Sequence, residues 1–173
     1  MPGDLIGILV AIGAILLGMK GFTATGLPVS TMSQAVVDGL RSVGARRIVV
    51  ATAYADDVNN RLQTFLTAQG FEVMALQGFG LFGFGEPGSK SEADIIALGS
   101  KVCAEGPGAQ GLLISCGGLR TLGVAQPLEE RHGIPVVAST QAAFWAALRL
   151  VGADSHVPAR GRLLAQSTAA PVH

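Results

Sequence analysis

The chain has 173 residues, enough for one domain with its own core. Lys and Arg total 12 and Asp and Glu total 12, so no basic stripe points to nucleic acid and no acidic block to a disordered tail. Two cysteines make no disulfide framework, three scattered histidines make no metal-ligand cluster, and reduced thiols fit a cytoplasmic protein.

The first element in chain order is Leu5 to Met19, "LIGILVAIGAILLGM", which carries no charge. A spanning helix needs about 20 apolar residues, so a membrane span is disfavoured. A signal peptide wants a basic start, and Asp4 stands there instead. The expectation is a helix packed on an apolar face of the domain or of a dimer. After Gly26 the punctuation becomes regular. Thr31-x-x-Gln34 resembles a capping box, followed at helical spacing by Val36, Val37, Leu40 and Val43 and closed by Gly44. "IVVATAY" reads as a strand. Asp56 and Asp57 then cap a helix with Val58, Leu62, Phe65 and Leu66 on one face, ending at Gly70. "FEVMAL" reads as a second strand. Ser91 to Ala104 reads as a helix with Ile95, Ile96, Leu98 and Val102 inward, "GLLIS" and "IPVVAS" as two more strands, and Thr140 to Val151 as a last helix carrying Phe144, Trp145 and Leu148.

Strands alternating with helices predict an α/β fold, a four-stranded parallel sheet flanked by helices. Ligands of such sheets bind at the carboxyl ends of the strands. That rule selects Tyr54 at the end of the first strand and Ser115-Cys116-Gly117-Gly118 at the end of the third. Two glycines leave room for a ligand beside the backbone, and their N–H groups can hold an anion. Cys116 is thereby a candidate acid. On position alone, Cys116 reads equally as a small buried hydrophobe and Tyr54 as a core aromatic. Cys103 lies on the inward side of its helix and reads as inert. Gly78 to Gly83 matches G-x-G-x-x-G, but no helix opens at its third glycine. An apolar flap suits it better than a dinucleotide site. A second match, Gly106 to Gly111, precedes a strand, the wrong context.

The segments "LPVSTMSQAVVDGLRSVGARRIVVATAYADDVNNRLQTFL", "GLLISCGGLRTL" and "GIPVVASTQAAFWAALRLVGA" resemble the arylmalonate decarboxylase family of the aspartate/glutamate racemase superfamily. The resemblance runs from about Thr25 to about Leu164. It implies two pseudo-symmetric α/β halves with the site between them, and neither metal nor organic cofactor. It implies that Cys116 protonates a planar enediolate. Tyr54, Ser115 and the backbone at Gly117 and Gly118 are then the substrate-binding residues that hold a small carboxylate. A racemase of this superfamily uses two thiols and a decarboxylase one, so a single plausible thiol favours decarboxylation. An amino-acid or hydantoin racemase, a maleate-type cis–trans isomerase and an inactive interaction domain are the alternatives. The resemblance also implies an N-terminal half with a Thr/Ser-rich loop, of which residues 1–24 show no sign. The expected organisation is an apolar leader over 1–24, a decarboxylase/racemase-like domain over 25–165 and a tail over 166–173, with a homodimer as the expected cover for the missing half.

Overall fold

Alternation of buried side chains along β1 (Arg47–Tyr54) explains the layering. Ile48 and Val50 point into one core cluster, and Val49, Ala51 and Ala53 into another. A strand apolar on both faces has helices on both faces, as parallel sheets require. The computed structural model describes residues 30–83 and 85–166. The expectations for Leu5 to Met19, for the 1–24 leader and for His173 fall outside them.

Within the described residues the order is α1 (Met32–Ser42), β1, α2 (Asp56–Ala68), β2 (Glu72–Leu81), a 3-10 turn at Glu86–Ser89, α3 (Glu92–Glu105), β3 (Gly111–Ser115), α4 (Ala125–His132), β4 (Val136–Ala138) and α5 (Ser139–Leu150). The four strands are parallel in the order β2-β1-β3-β4. Leu40, Leu66 and Trp145 from α1, α2 and α5 fill the first cluster; Ile95, Val102 and Leu128 from α3 and α4 fill the second. Leu112, Leu113 and Ile114 of β3 lie fully buried between them. Each such side chain contributes about 1.5–3 kcal/mol of burial.

The helix starts follow local chemistry. Thr31 Oγ1 accepts the N–H of Gln34 at 3.1 Å, the expected cap, while the Gln34 amide donates to Asp38 instead of closing the box. At α3 the box is complete. Ser91 Oγ accepts the N–H of Asp94, and Asp94 accepts both the hydroxyl and the N–H of Ser91. The Ser91 hydroxyl, aided by its N–H, holds the Asp94 carboxyl below the usual value. A depressed carboxyl stabilises above its unfolded value, and that contribution is lost as pH falls through the folded one.

Three sequence expectations are corrected. Asp56 and Asp57 do not cap α2; Ala55 occupies the cap with no side-chain bond, and the two acids stand in the first turn, where the helix dipole favours them. The second strand does not stop at Leu76. It runs on to Leu81 because its backbone continues to pair with β1, Thr52 opposite Gly78 and Tyr54 opposite Leu81. Phe144 turns outward, and its helix buries Trp145 and Ala146 instead.

The chain also forms α4, which the sequence reading did not contain. Buried Glu129 of this helix is a clamp. Its Oε1 accepts the N–H of Val136 at 2.8 Å, and both of its oxygens accept the N–H of Arg162, at 3.0 and 2.9 Å. One side chain thus ties α4 to β4 and to the closing turn at 162–165. Gly161 passes so near that a Cβ there would collide with Ala125 and crowd Glu129. Among the described residues no helix is long and apolar enough to cross a membrane.

Candidate active site

The strand order places the site. From β1 the chain crosses to β2 on one side, then returns to β3 on the other. The connections leaving β1 and β3 therefore part company, and a crevice opens at their carboxyl ends. Tyr54 ends β1, and Cys116 follows the last residue of β3.

A cleft of about 590 Å³ opens there. Tyr54, Cys116 and Gly118 line it, with Ala53, Asp57 and Val58 on one side and Leu81, Phe82 and Pro87 on the other. The wall is mostly apolar. Phe82, 87% exposed, stands at its edge. The glycine run expected as a flap is tied down: Glu86 accepts the N–H groups of Phe82 and Gly83 at 3.2 and 2.8 Å. Its glycines sit in a strand end and a bend, with no helix start to receive a pyrophosphate.

Cys116 is 9% exposed, and its sulfur accepts the N–H of Gly118 at 3.4 Å. That donor faces any negative charge that develops on the sulfur. A side chain at Gly118 would press on Pro87, and one at Gly117 on the Met32 methyl, so both glycines answer to crowding. The Tyr54 phenol is half-buried, and this burial raises its ionisation above the usual 10.0. The Ser115 hydroxyl opposes the rise, and the neighbouring Cys116 thiol adds to it. The phenol is therefore a proton-bearing donor at neutral pH.

Not all sequence-selected residues share the cleft. Tyr54, Cys116 and Gly118 do. Ser115 opens on an adjoining hollow of about 330 Å³ with Tyr54 and Ser139, and Gly117 lines a groove of about 560 Å³ toward Leu122 and Phe144. Ser115 is the last residue of β3, whereas Gly117 and Gly118 lie in the turn that follows it. Asp57, Leu81, Phe82 and Pro87 were missed as lining residues. The acidic pair after "ATAY" was the available signal for Asp57. Among the described residues no group of His, Cys, Asp and Glu could hold a metal ion.

A family model described as arylmalonate decarboxylase matches residues 16–164. The chain belongs to the arylmalonate decarboxylase family. It is 42% identical over 145 residues to the arylmalonate decarboxylase of Bordetella bronchiseptica, an alignment covering 83% of this chain and 60% of that protein. A crystal structure of arylmalonate decarboxylase superposes with a TM-score of 0.77 at 42% identity, over 83% of this chain and 63% of the other. Maleate isomerase of Nocardia farcinica is 28% identical over 142 residues, covering 82% of this chain and 56% of that protein. A structure of the same organism's maleate cis-trans isomerase bound to TRIS, at 24% identity and a TM-score of 0.80, shares the fold. This member of the family spans 54–60% of the length of the curated relatives it matches.

The two thiols of this family member differ in setting. Cys103 packs against the second core cluster, and burial pushes its thiol up to about 11. At about pH 8 only roughly one Cys103 in a thousand is thiolate, the form that reacts. Iodoacetamide at that pH should therefore label Cys116 before Cys103, as read by peptide mapping over time. Equal rates at both residues would show that the cleft gives Cys116 no advantage.

Proposed function

We propose that this chain catalyses cofactor-independent decarboxylation of a disubstituted arylmalonate-type acid. The observation that carries the reading is one cleft at the β1/β3 crevice holding a thiol, a protonated phenol and a backbone N–H donor against an apolar wall. Family membership and the 42% identity to arylmalonate decarboxylase support the same reaction class.

The chemistry needs little more. The bond from the α-carbon to one carboxylate breaks, and its electron pair stays on the α-carbon as CO₂ leaves. The remaining carboxylate takes up that charge as an enediolate. The Tyr54 phenol donates to an enediolate oxygen, with Ser115 beside the phenol, while the Gly118 N–H stays on the Cys116 sulfur. Where such donors have been deleted in other enzymes, each cost about 3–4 kcal/mol of barrier. Cys116 gives its proton to the α-carbon, and the resulting thiolate, held by the Gly118 N–H, regains a proton from solvent. Leu81, Phe82 and Pro87 suit an aryl group. A reducing compartment such as the cytoplasm suits a mechanism that needs Cys116 as a free thiol.

One thiol also weighs against a racemase. Among the described residues the other cysteine, Cys103, is partly buried against the second core cluster and does not line the cleft. The test is incubation of purified protein with methyl(phenyl)malonate in heavy water. The expected result is CO₂ release and one deuteron at the α-carbon of the product. Turnover of maleate to fumarate with no CO₂ from the malonate would overturn the reading in favour of the isomerase.

A further inference from the structure

A buried polar network lies directly beneath Tyr54. Thr52 and Asn59, 0% and 4% exposed, sit among apolar side chains. The Thr52 hydroxyl donates to Asn59 Oδ1 at 2.6 Å and accepts the N–H of Tyr54 at 3.1 Å. Asn59 Nδ2 donates to the carbonyl of Tyr54, also at 3.1 Å. Both backbone groups of Tyr54 are thus held by side chains. The regular ladder fails at this point, because the β1–β2 register shifts between Thr52 and Tyr54. Gly78 of β2 lies against the network. A Cβ there would come within 2.7 Å of Thr52 Oγ1 and 2.8 Å of Asn59 Nδ2, and closer still to the Tyr54 carbonyl.

A core gains little stability from such a device, since buried polar groups stabilise only when fully paired and an apolar core does as well. What the network supplies is direction. Sheet pairing alone would fix Tyr54 in the register of β2. Here the register shifts by the time Tyr54 meets Leu81, and the strand end is tied in addition to Asn59, five residues on, in the first turn of α2.

We infer that Thr52 and Asn59, with Gly78 as the space they require, are positioning residues that aim Tyr54 across the crevice at Ser115 and Cys116. The inference deepens the proposed function, because it names what sets the geometry of the phenol in that site.

The test does not depend on turnover. Tyr54 is the chain's single tyrosine, so the rise of tyrosinate absorbance with pH reports it alone. Ser115 and Cys116 act on the phenol, and Asp57 shares its cleft. In the parent the phenol should ionise above 10.0, because it is buried. Thr52→Val and Asn59→Ala should bring the midpoint back toward 10.0 while circular dichroism shows the fold intact at the same pH. Thr52→Ser, which keeps the hydroxyl, should restore the parent curve. A merely structural pair would lower the melting temperature and leave the midpoint of the folded protein unmoved, and that result overturns the inference. If both variants unfold, the Tyr54 amide in the parent decides: slow hydrogen exchange, like that of the β1 interior, supports the network, and exchange at loop rates overturns it. In a parent that decarboxylates, kcat should fall up to about 100-fold with KM little changed. A parent without turnover but with the titration shifts would refute the proposed reaction alone.

Discussion

Replacing Cys116 by alanine should reduce decarboxylation by about 10²- to 10⁴-fold, the usual contribution of a positioned proton donor. The fold should survive. Cys116 follows the end of β3, and its sulfur lines a cleft and accepts the N–H of Gly118. Removing the sulfur enlarges the cleft at the rim of the second core cluster, to which Cys116 belongs, so a small loss of stability should accompany a retained fold. Cys103→Ala should do the reverse. It removes volume from the packing of α3 and should lower stability by about 1 kcal/mol without changing the chemistry. Initial rates of CO₂ release and thermal melts of the two variants separate the roles. Equal turnover by Cys116→Ala and the parent would sink the assignment of the acid.

The largest stability effect should come from Glu129, far from the cleft chemistry. Glu129→Ala leaves the N–H of Val136 without its acceptor in a buried strand, and also frees the N–H of Arg162. Losing bonds to a charged acceptor while a buried donor goes unpaired costs about 3 kcal/mol. For a chain of this length that lowers the melting temperature by roughly 10 °C. Glu129→Gln keeps one acceptor oxygen and should lose about half as much. A Glu129→Ala melt that overlays the parent would mean that the clamp contributes nothing.

The parts of the fold that were legible in the sequence are those whose signal is local. β1 and β3 are continuous apolar runs because they are buried on both faces. The helix starts at Thr31 and Ser91 announce themselves by capping chemistry over three residues. The candidate site was legible for the same reason: carboxyl ends of known strands, marked by Tyr54 and by Cys116 before paired glycines. What escaped is non-local. The far half of β2 is glycine-rich and poor in strand formers, and it is extended only because β1 lies beside it. α4 is short and polar, and Pro127 reads as a breaker although the first turn of a helix tolerates it; Gly133, left-handed at its end, was the usable signal. Thr52 and Asn59 look in sequence like an ordinary strand residue and a solvated helix residue. Their pairing exists only once α2 folds back onto the end of β1.

The loop leaving β2 has a different bearing on the molecule's history. Phe82 and Pro87, which shape the apolar wall, belong to a segment that closes on itself through Glu86. Tyr54 and Cys116 stand on strands that this segment does not pair with beyond Leu81. Selection can therefore redraw the wall for a bulkier or slimmer side group while acid and donor stay where they are. The loop from Phe82 to Pro87 is the place to randomise for a new substrate range, and the strand ends are the places to leave alone.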